Sequence, residues 1–99
     1  MPENNNFATL KVTSVEVHPF AEPKPGDFGT RVLADATVVL ADQLCLRGVL
    51  VKEGQNGLFV GYPSDKSNPN CPRTLVFPMM RALREEIENT VIEKYQMAR

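Results

Sequence analysis

The stretch Arg31-Val-Leu-Ala-Asp-Ala-Thr-Val-Val-Leu-Ala-Asp-Gln-Leu-Cys-Leu-Arg-Gly-Val-Leu-Val-Lys-Glu-Gly-Gln-Asn-Gly-Leu-Phe-Val-Gly-Tyr62 decides the fold. Over residues 31–40, Val32, Ala34, Ala36, Val38 and Leu40 face one way and Arg31, Asp35 and Thr37 the other. That period of two predicts a half-buried strand. Asp42 and Gln43 mark a turn. Residues 44–52 predict the next strand, with Leu44, Leu46 and Leu50 on one face. Gly54-Gln55-Asn56-Gly57 follows, and Asn-Gly is the strongest short-range hairpin signal because both residues accept positive φ. Leu58 to Tyr62 is the returning strand.

Toward the N-terminus, residues 8–18 are rich in β-branched side chains and predict a strand. Leu10 and Val12 fall out of phase with Val15 and Val17, which a bulge near Thr13 reconciles. Residues 19–30 hold Pro19, Pro23, Pro25, Gly26 and Gly29 and predict a loop. Residues 1–7 are expected to be a mobile tail ahead of a single domain over 8–99. Toward the C-terminus, 63–73 predict a second loop with Pro63, Pro69 and Pro72. Thr74 to Phe77 predict a short strand ended by Pro78. Met80, Leu83, Ile87, Val91, Tyr95 and Ala98 then recur at three- and four-residue steps, an amphipathic helix over 79–98. Its outer face carries Arg81, Arg84, Glu85, Glu88 and Lys94, with Arg81–Glu85 and Arg84–Glu88 at helical i,i+4 spacing. The whole is an α+β fold, a mainly antiparallel sheet of about five strands followed by one long C-terminal helix. One helix covers one face of such a sheet, so a homodimer is expected to manage the other face or an open edge.

With 99 residues, 42% of them hydrophobic, the chain has the composition of one small globular domain. Its longest apolar run, Val38 to Ala41, is too short to cross a bilayer, so no membrane partner is expected. Met1 to Asn6 is polar, with neither a basic start nor an apolar core, so the expected location is the cytoplasm. Cys45 and Cys71 lack C-x-x-C spacing and are expected to be reduced thiols.

A net charge of −1 argues against coating nucleic acid by bulk charge. The distribution is less even than the total. Residues 1–46 sum to −3. Residues 62–84, with Lys66, Arg73, Arg81 and Arg84 against Asp65, sum to +3. An anionic partner and an ordinary solvated surface both account for that segment.

Catalytic signatures are missing from the pattern. His18 ends the first expected strand without a local nucleophile signature, and one histidine with two separated cysteines falls short of a zinc ligand set. Glu85, Glu86 and Glu88 cluster as helix outer faces do. Gly54-Gln55-Asn56-Gly57 lacks the spacing of a phosphate-cradling loop. The chain is therefore expected to be a binding protein and not an enzyme, with no cofactor, no metal and no small-molecule substrate. Phe59 and Tyr62 stand at odd spacing and face opposite sides. One is expected in the core, and the other is either packed in a dimer or free to stack on a base. Phe77 beside Pro78 reads as packing where the last strand meets the helix.

Gly54-x-Asn56-Gly57-Leu58-Phe59-Val60-x-x-Pro63-Ser64 resembles the signature of the SpoVG family, the stage V sporulation protein G or septation regulators of bacteria. There a Gly-Asn-Asn-Gly-Leu-Phe-Val segment runs into Pro-Ser-Lys-Arg. Arg73 and Pro78 fall at the family's spacing from Pro63. Ile87-x-x-x-Val91-Ile92-x-x-Tyr95 is similar to its closing pattern, and Val12-Thr13-Ser14-Val15 to its opening, so the likeness runs from about Leu10 onward. The resemblance implies a bacterial cytosolic homodimer linked to septum formation and, in spore formers, to sporulation. Several members are DNA- or RNA-binding regulators.

The resemblance also implies where nucleic acid would be held. Lys66 stands at the arginine of Pro-Ser-Lys-Arg, Arg73 at the later loop arginine, and Arg81 and Arg84 at the helix start. Three features depart from the family. Asp65 replaces a lysine, the loop from Pro19 to Thr30 is longer, and Pro69, Asn70, Cys71 and Pro72 differ from the usual loop. A protein-interaction adaptor in cell division, without nucleic-acid contact, is the alternative, motivated by the near-zero net charge and the uncovered sheet face.

Overall fold

A computed structural model describes residues 10–68, 70–71 and 73–98. The expected tail at 1–7, the first two residues of the expected first strand, and Pro69 and Pro72 lie outside the described residues. The alternating segments form an antiparallel meander of β1 (Val12–Pro25), β2 (Arg31–Leu40), β3 (Leu44–Gly54) and β4 (Gly57–Gly61), neighbours in that order. A separate two-stranded sheet pairs β5 (Ser64–Asp65) with β6 (Arg73–Thr74). The chain closes with α1 (Arg81–Ala98). The fold is α+β, with the sheet divided four and two.

The period-two pattern of β2 carries the core. Ala34, Ala36, Val38 and Leu40 are buried, as are Val15, Leu46, Val49, Val51 and Val60 of the neighbouring strands. From α1, Ile87, Val91 and Tyr95 enter the same cluster, with Leu83 and Ile92 at its margin. The helix lies chiefly along β1 and reaches β4. The expected helical line therefore holds in its middle, while its end positions, Met80 and Ala98, are exposed. The Glu86 carboxylate accepts a hydrogen bond from the Val12 amide at 3.1 Å, which docks the helix on the first residue of β1.

The register of β1 slips between Val12 and Ser14, the bulge that the phase change near Thr13 predicts. A second irregularity was not visible in the sequence. In β3 the pairing shifts between Ala36 and Val38, at Gly48, whose φ of +84° suits glycine. Leu46 is buried before that bulge and Val49 and Val51 after it, so Leu50 turns to the opposite face from Leu46. At the β3–β4 turn, positive φ falls on Gly57 alone and not on Asn56.

The β2–β3 turn stores strain. Ala41 and Asp42 both stand at φ +54°, a left-handed conformation that costs a residue with a Cβ roughly 1–2 kcal/mol. Hydrogen bonds fasten it. The Ala41 amide donates to the Lys11 carbonyl at 2.7 Å and the Asp42 amide to the Thr13 hydroxyl at 3.1 Å. The bulge near Thr13 thus serves the turn beside it. Ala41→Gly is expected to raise stability by about 1 kcal/mol, read as a higher Tm in thermal unfolding.

Other expectations change, and strand β5 falls inside the segment expected as the second loop. Strand β1 runs on through the proline-rich stretch to Pro25, with Pro19 opposite Ala34 and Pro25 opposite Arg31. Because β1 is an edge strand, a residue without an N–H can sit where no ladder bond is needed. The short strand expected at Thr74 to Phe77 is limited to Arg73–Thr74, and the helix begins at Arg81. Phe77 is exposed, while Pro78 is buried. The face of the sheet opposite α1 carries Leu50, Lys52 and Phe59, the last two cross-strand partners.

Candidate nucleic-acid interface

The basic residues singled out by sequence sit on two elements, the β5–β6 hairpin and the start of α1. Arg73 lies in β6, where its Cα partner is Asp65 of β5, and Lys66 follows β5 directly. Arg81 and Arg84 lie in the first turn of α1. The Leu75 amide donates to the Pro63 carbonyl at 2.8 Å, closing the base of the β5–β6 hairpin. Beside that base, the Tyr62 hydroxyl donates to the Glu88 carboxylate of α1 at 3.0 Å. The bond ties the residue before the hairpin to the second turn of α1, and Arg84, one turn nearer the helix start, is close enough to act on the Tyr62 phenol.

Burial, and then the hydrogen bond to Glu88 with its charge, push the Tyr62 phenol above the ordinary tyrosine range. The fold favours the neutral phenol beyond the pH at which an unfolded tyrosine ionises. Its contribution is whole below about pH 10, where an unfolded tyrosine ionises, and is lost as pH rises further. Tyr62→Phe is expected to cost about 1 kcal/mol at neutral pH. It should also flatten the alkaline fall in stability, measured by urea unfolding on both sides of pH 10.

The four cations are not equally free. The Lys66 ammonium pairs with Asp27 at 2.9 Å, and Asp27 lies in a short 3-10 turn, Asp27–Gly29, between β1 and β2. Lys66, by hydrogen bond and charge, and to a smaller extent Lys52 hold the Asp27 carboxyl below the ordinary carboxylate range. Arg81 meets Glu85 at 3.7 Å on an open surface, a contact worth a few tenths of a kcal/mol. Arg73 and Arg84 are exposed, and Glu88, the expected i,i+4 partner of Arg84, accepts from Tyr62. Asp65, the departure from the basic pattern, is turned to its own loop. Its carboxylate accepts from the Ser67 amide at 2.9 Å, and Ser67 holds its pKa down.

Residues considered for chemistry have structural surroundings. His18 is exposed, with Nε2 3.7 Å from Glu16. Cys45 and Cys71 are free and exposed. Glu85, Glu86 and Glu88 engage Arg81, the Val12 amide and Tyr62 respectively. Among the described residues, no three His, Cys, Asp or Glu side chains gather as a metal site would require, and no helix is long and apolar enough to cross a membrane.

Two features near the basic residues were not read from sequence. Lys52 reaches across Gly61, where an added Cβ would lie 2.8 Å from its Cε, so the glycine makes room for the lysine stem. Leu75, Val76, Phe77, Met79 and Met80 form an exposed apolar strap between β6 and α1. The sequence reading divided these residues between a short strand, Thr74 to Phe77, and the helix from residue 79, so the strap was not seen as one segment.

The SpoVG family model matches residues 10–97. The Fusobacterium nucleatum protein named "Putative septation protein SpoVG" is 34% identical over 86 residues, covering 87% of this chain and 88% of that protein. Its namesake in Agathobacter rectalis is 33% identical over 66 residues, 67% of this chain and 76% of that one. The Desulforudis audaxviator namesake is 30% identical over 87 residues, 88% of this chain and 92% of its own.

Proposed function

We propose that this chain, which belongs to the SpoVG family, is a non-catalytic cytoplasmic regulator of the septation type that binds DNA or RNA as a homodimer. The observation that carries the reading is that Tyr62, next to the base of the hairpin bearing Lys66 and Arg73, hydrogen-bonds to Glu88, one turn along α1 from Arg84. Side chains of this kind contact phosphates, which supply affinity and little sequence information. Two-fold pairing of protomers would present two such clusters to one nucleic acid.

Fluorescence anisotropy of labelled duplex DNA and single-stranded RNA at two salt concentrations tests it, beside a Lys66→Ala/Arg73→Ala variant. Light scattering at micromolar concentration tests the dimer, and a mass of one protomer overturns that part. One observation favours a second reading, an adaptor that binds other proteins. The strap from Leu75 to Met80 leaves large apolar side chains exposed. Absence of binding to either probe at low salt would favour the adaptor.

A further inference from the structure

The least expected residue on the surface is Phe28. Its side chain is fully exposed, at 103% of the reference area, and its backbone stands at φ 56° and ψ 38°. A bulky side chain rarely adopts that left-handed conformation, and an exposed phenyl ring gains nothing from burial to offset it. The turn is nevertheless well fastened. The Gly26 amide donates to the Thr30 carbonyl at 2.9 Å, and the Thr30 amide and hydroxyl both donate to the Asp27 carbonyl, at 3.1 and 2.7 Å. These bonds fix the backbone that carries the ring, and the ring projects outward from it.

Phe28 shares a groove with Phe59 and the Gln55–Asn56 turn. Phe59 is 41% exposed, and its ring crosses Gly54 so closely that an added Cβ would lie 3.3 Å from it. Lys52 is its cross-strand partner. On the other side of Phe28, its turn neighbour Asp27 is paired with Lys66, which ties the turn to the basic hairpin. Two exposed aromatic rings thus line one groove, one opposite Lys52 and the other beside the Asp27–Lys66 pair, the combination of flat apolar faces and cations by which unpaired bases and their phosphates are held.

We propose that Phe28 and Phe59 are stacking platforms for the bases of a single-stranded nucleic acid whose phosphates meet Lys52 and Lys66. This inference rests on the nucleic-acid reading above and names the form of nucleic acid it takes. Bases inside a duplex are already stacked and offer no free face, so the groove selects single strands.

The test is anisotropy of labelled oligo(dT), oligo(U) and a duplex of equal length, at 50 and 200 mM salt. Phe28→Gly removes the ring and suits the left-handed backbone, so its Tm is expected to equal or exceed that of the parent. Its affinity for both single strands should fall about tenfold, with the dependence on salt unchanged, because stacking releases no counterions. Phe28→Tyr should bind as the parent does, and duplex binding should not respond to Phe28→Gly. Lys52→Ala should instead weaken the salt dependence.

Single-strand binding by Phe28→Gly equal to the parent overturns the inference and leaves the wider reading standing if Lys66→Ala/Arg73→Ala still loses binding. Loss of self-association in Phe28→Gly assigns the ring to a contact between copies and also overturns it. Failure of the parent to bind any probe at 50 mM salt removes both.

Discussion

Ile87→Ala is expected to lower the stability of the folded chain by about 3 kcal/mol, the largest effect of any single truncation proposed here. Ile87 is 1% exposed and is among the largest of the fully buried side chains. It stands in the middle of α1, between its neighbours on the buried line, Leu83 and Val91, and it joins the cluster formed by all four strands of the main sheet. Removing it forfeits the transfer free energy of the lost methyl and methylene groups. It also leaves a cavity, which a helix pinned by Glu86 at β1 and Glu88 at Tyr62 is poorly placed to close. A domain of this size has about 5–15 kcal/mol in total, so the loss is a large fraction. Urea unfolding followed by circular dichroism measures it as a lower midpoint at unchanged slope. Met79→Ala, on an 86% exposed side chain, should move the midpoint little. Equal effects from the two would mean that α1 does not cover the sheet as described.

Much of that core was legible because its signals are local. From Ala34 to Leu40 strand β2 alternates, so its buried residues follow from a period of two, while a register shift between Val32 and Ala34 takes Val32 out of that line and packs Leu33 against the core. The helix follows from a period near 3.6, and its central positions, Ile87, Val91 and Tyr95, are the ones the pattern places inside. Even the bulge near Thr13 left a trace as a change of phase. The readings that failed were those in which tertiary position overrode composition. Pro19, Pro23 and Pro25 signal a loop anywhere except on a sheet edge, and nothing local shows that β1 is an edge. Gly48 shifts the phase of β3, but a lone glycine in a strand pattern does not say whether the chain bulges there or passes straight through.

The candidate site was legible in its residue types and not in its pairings. Lys66, Arg73, Arg81 and Arg84 stood out by charge and by likeness to the family. That Lys66 finds Asp27, 39 positions earlier, is a long-range contact that no spacing rule reports. The odd spacing of Phe59 and Tyr62 did place them on opposite faces, and the structure sorts them. Tyr62 turns to Glu88 under the helix, and Phe59 to the open face beside Lys52. Phe28 carried no sequence signal, since a phenylalanine between Asp27 and Gly29 gives no hint of left-handed backbone or of full exposure.

The unequal freedom of the cations shapes the second large effect. Lys66→Ala/Arg73→Ala is expected to weaken binding to duplex DNA by tens of fold at 0.1 M salt, with Arg73 responsible for more of the loss than Lys66. Each phosphate contact on a duplex adds about 0.9 to the slope of log K against log salt, which is worth roughly tenfold at 0.1 M. Arg73 is exposed and keeps that full contribution. Lys66 must share its charge with Asp27, so a phosphate that takes Lys66 leaves an exposed carboxylate nearby. A phosphate gains less from Lys66 than from Arg73 because it must first break the Asp27 pair, so the single Lys66 variant should still bind measurably. Anisotropy titrations of the two single variants and the double, each at 50 and 200 mM salt, separate these contributions. A slope lowered by about one in Arg73→Ala identifies a phosphate contact. An unchanged slope with unchanged affinity in the double variant would remove the β5–β6 hairpin from the interface and leave the helix start and the open sheet face to account for binding.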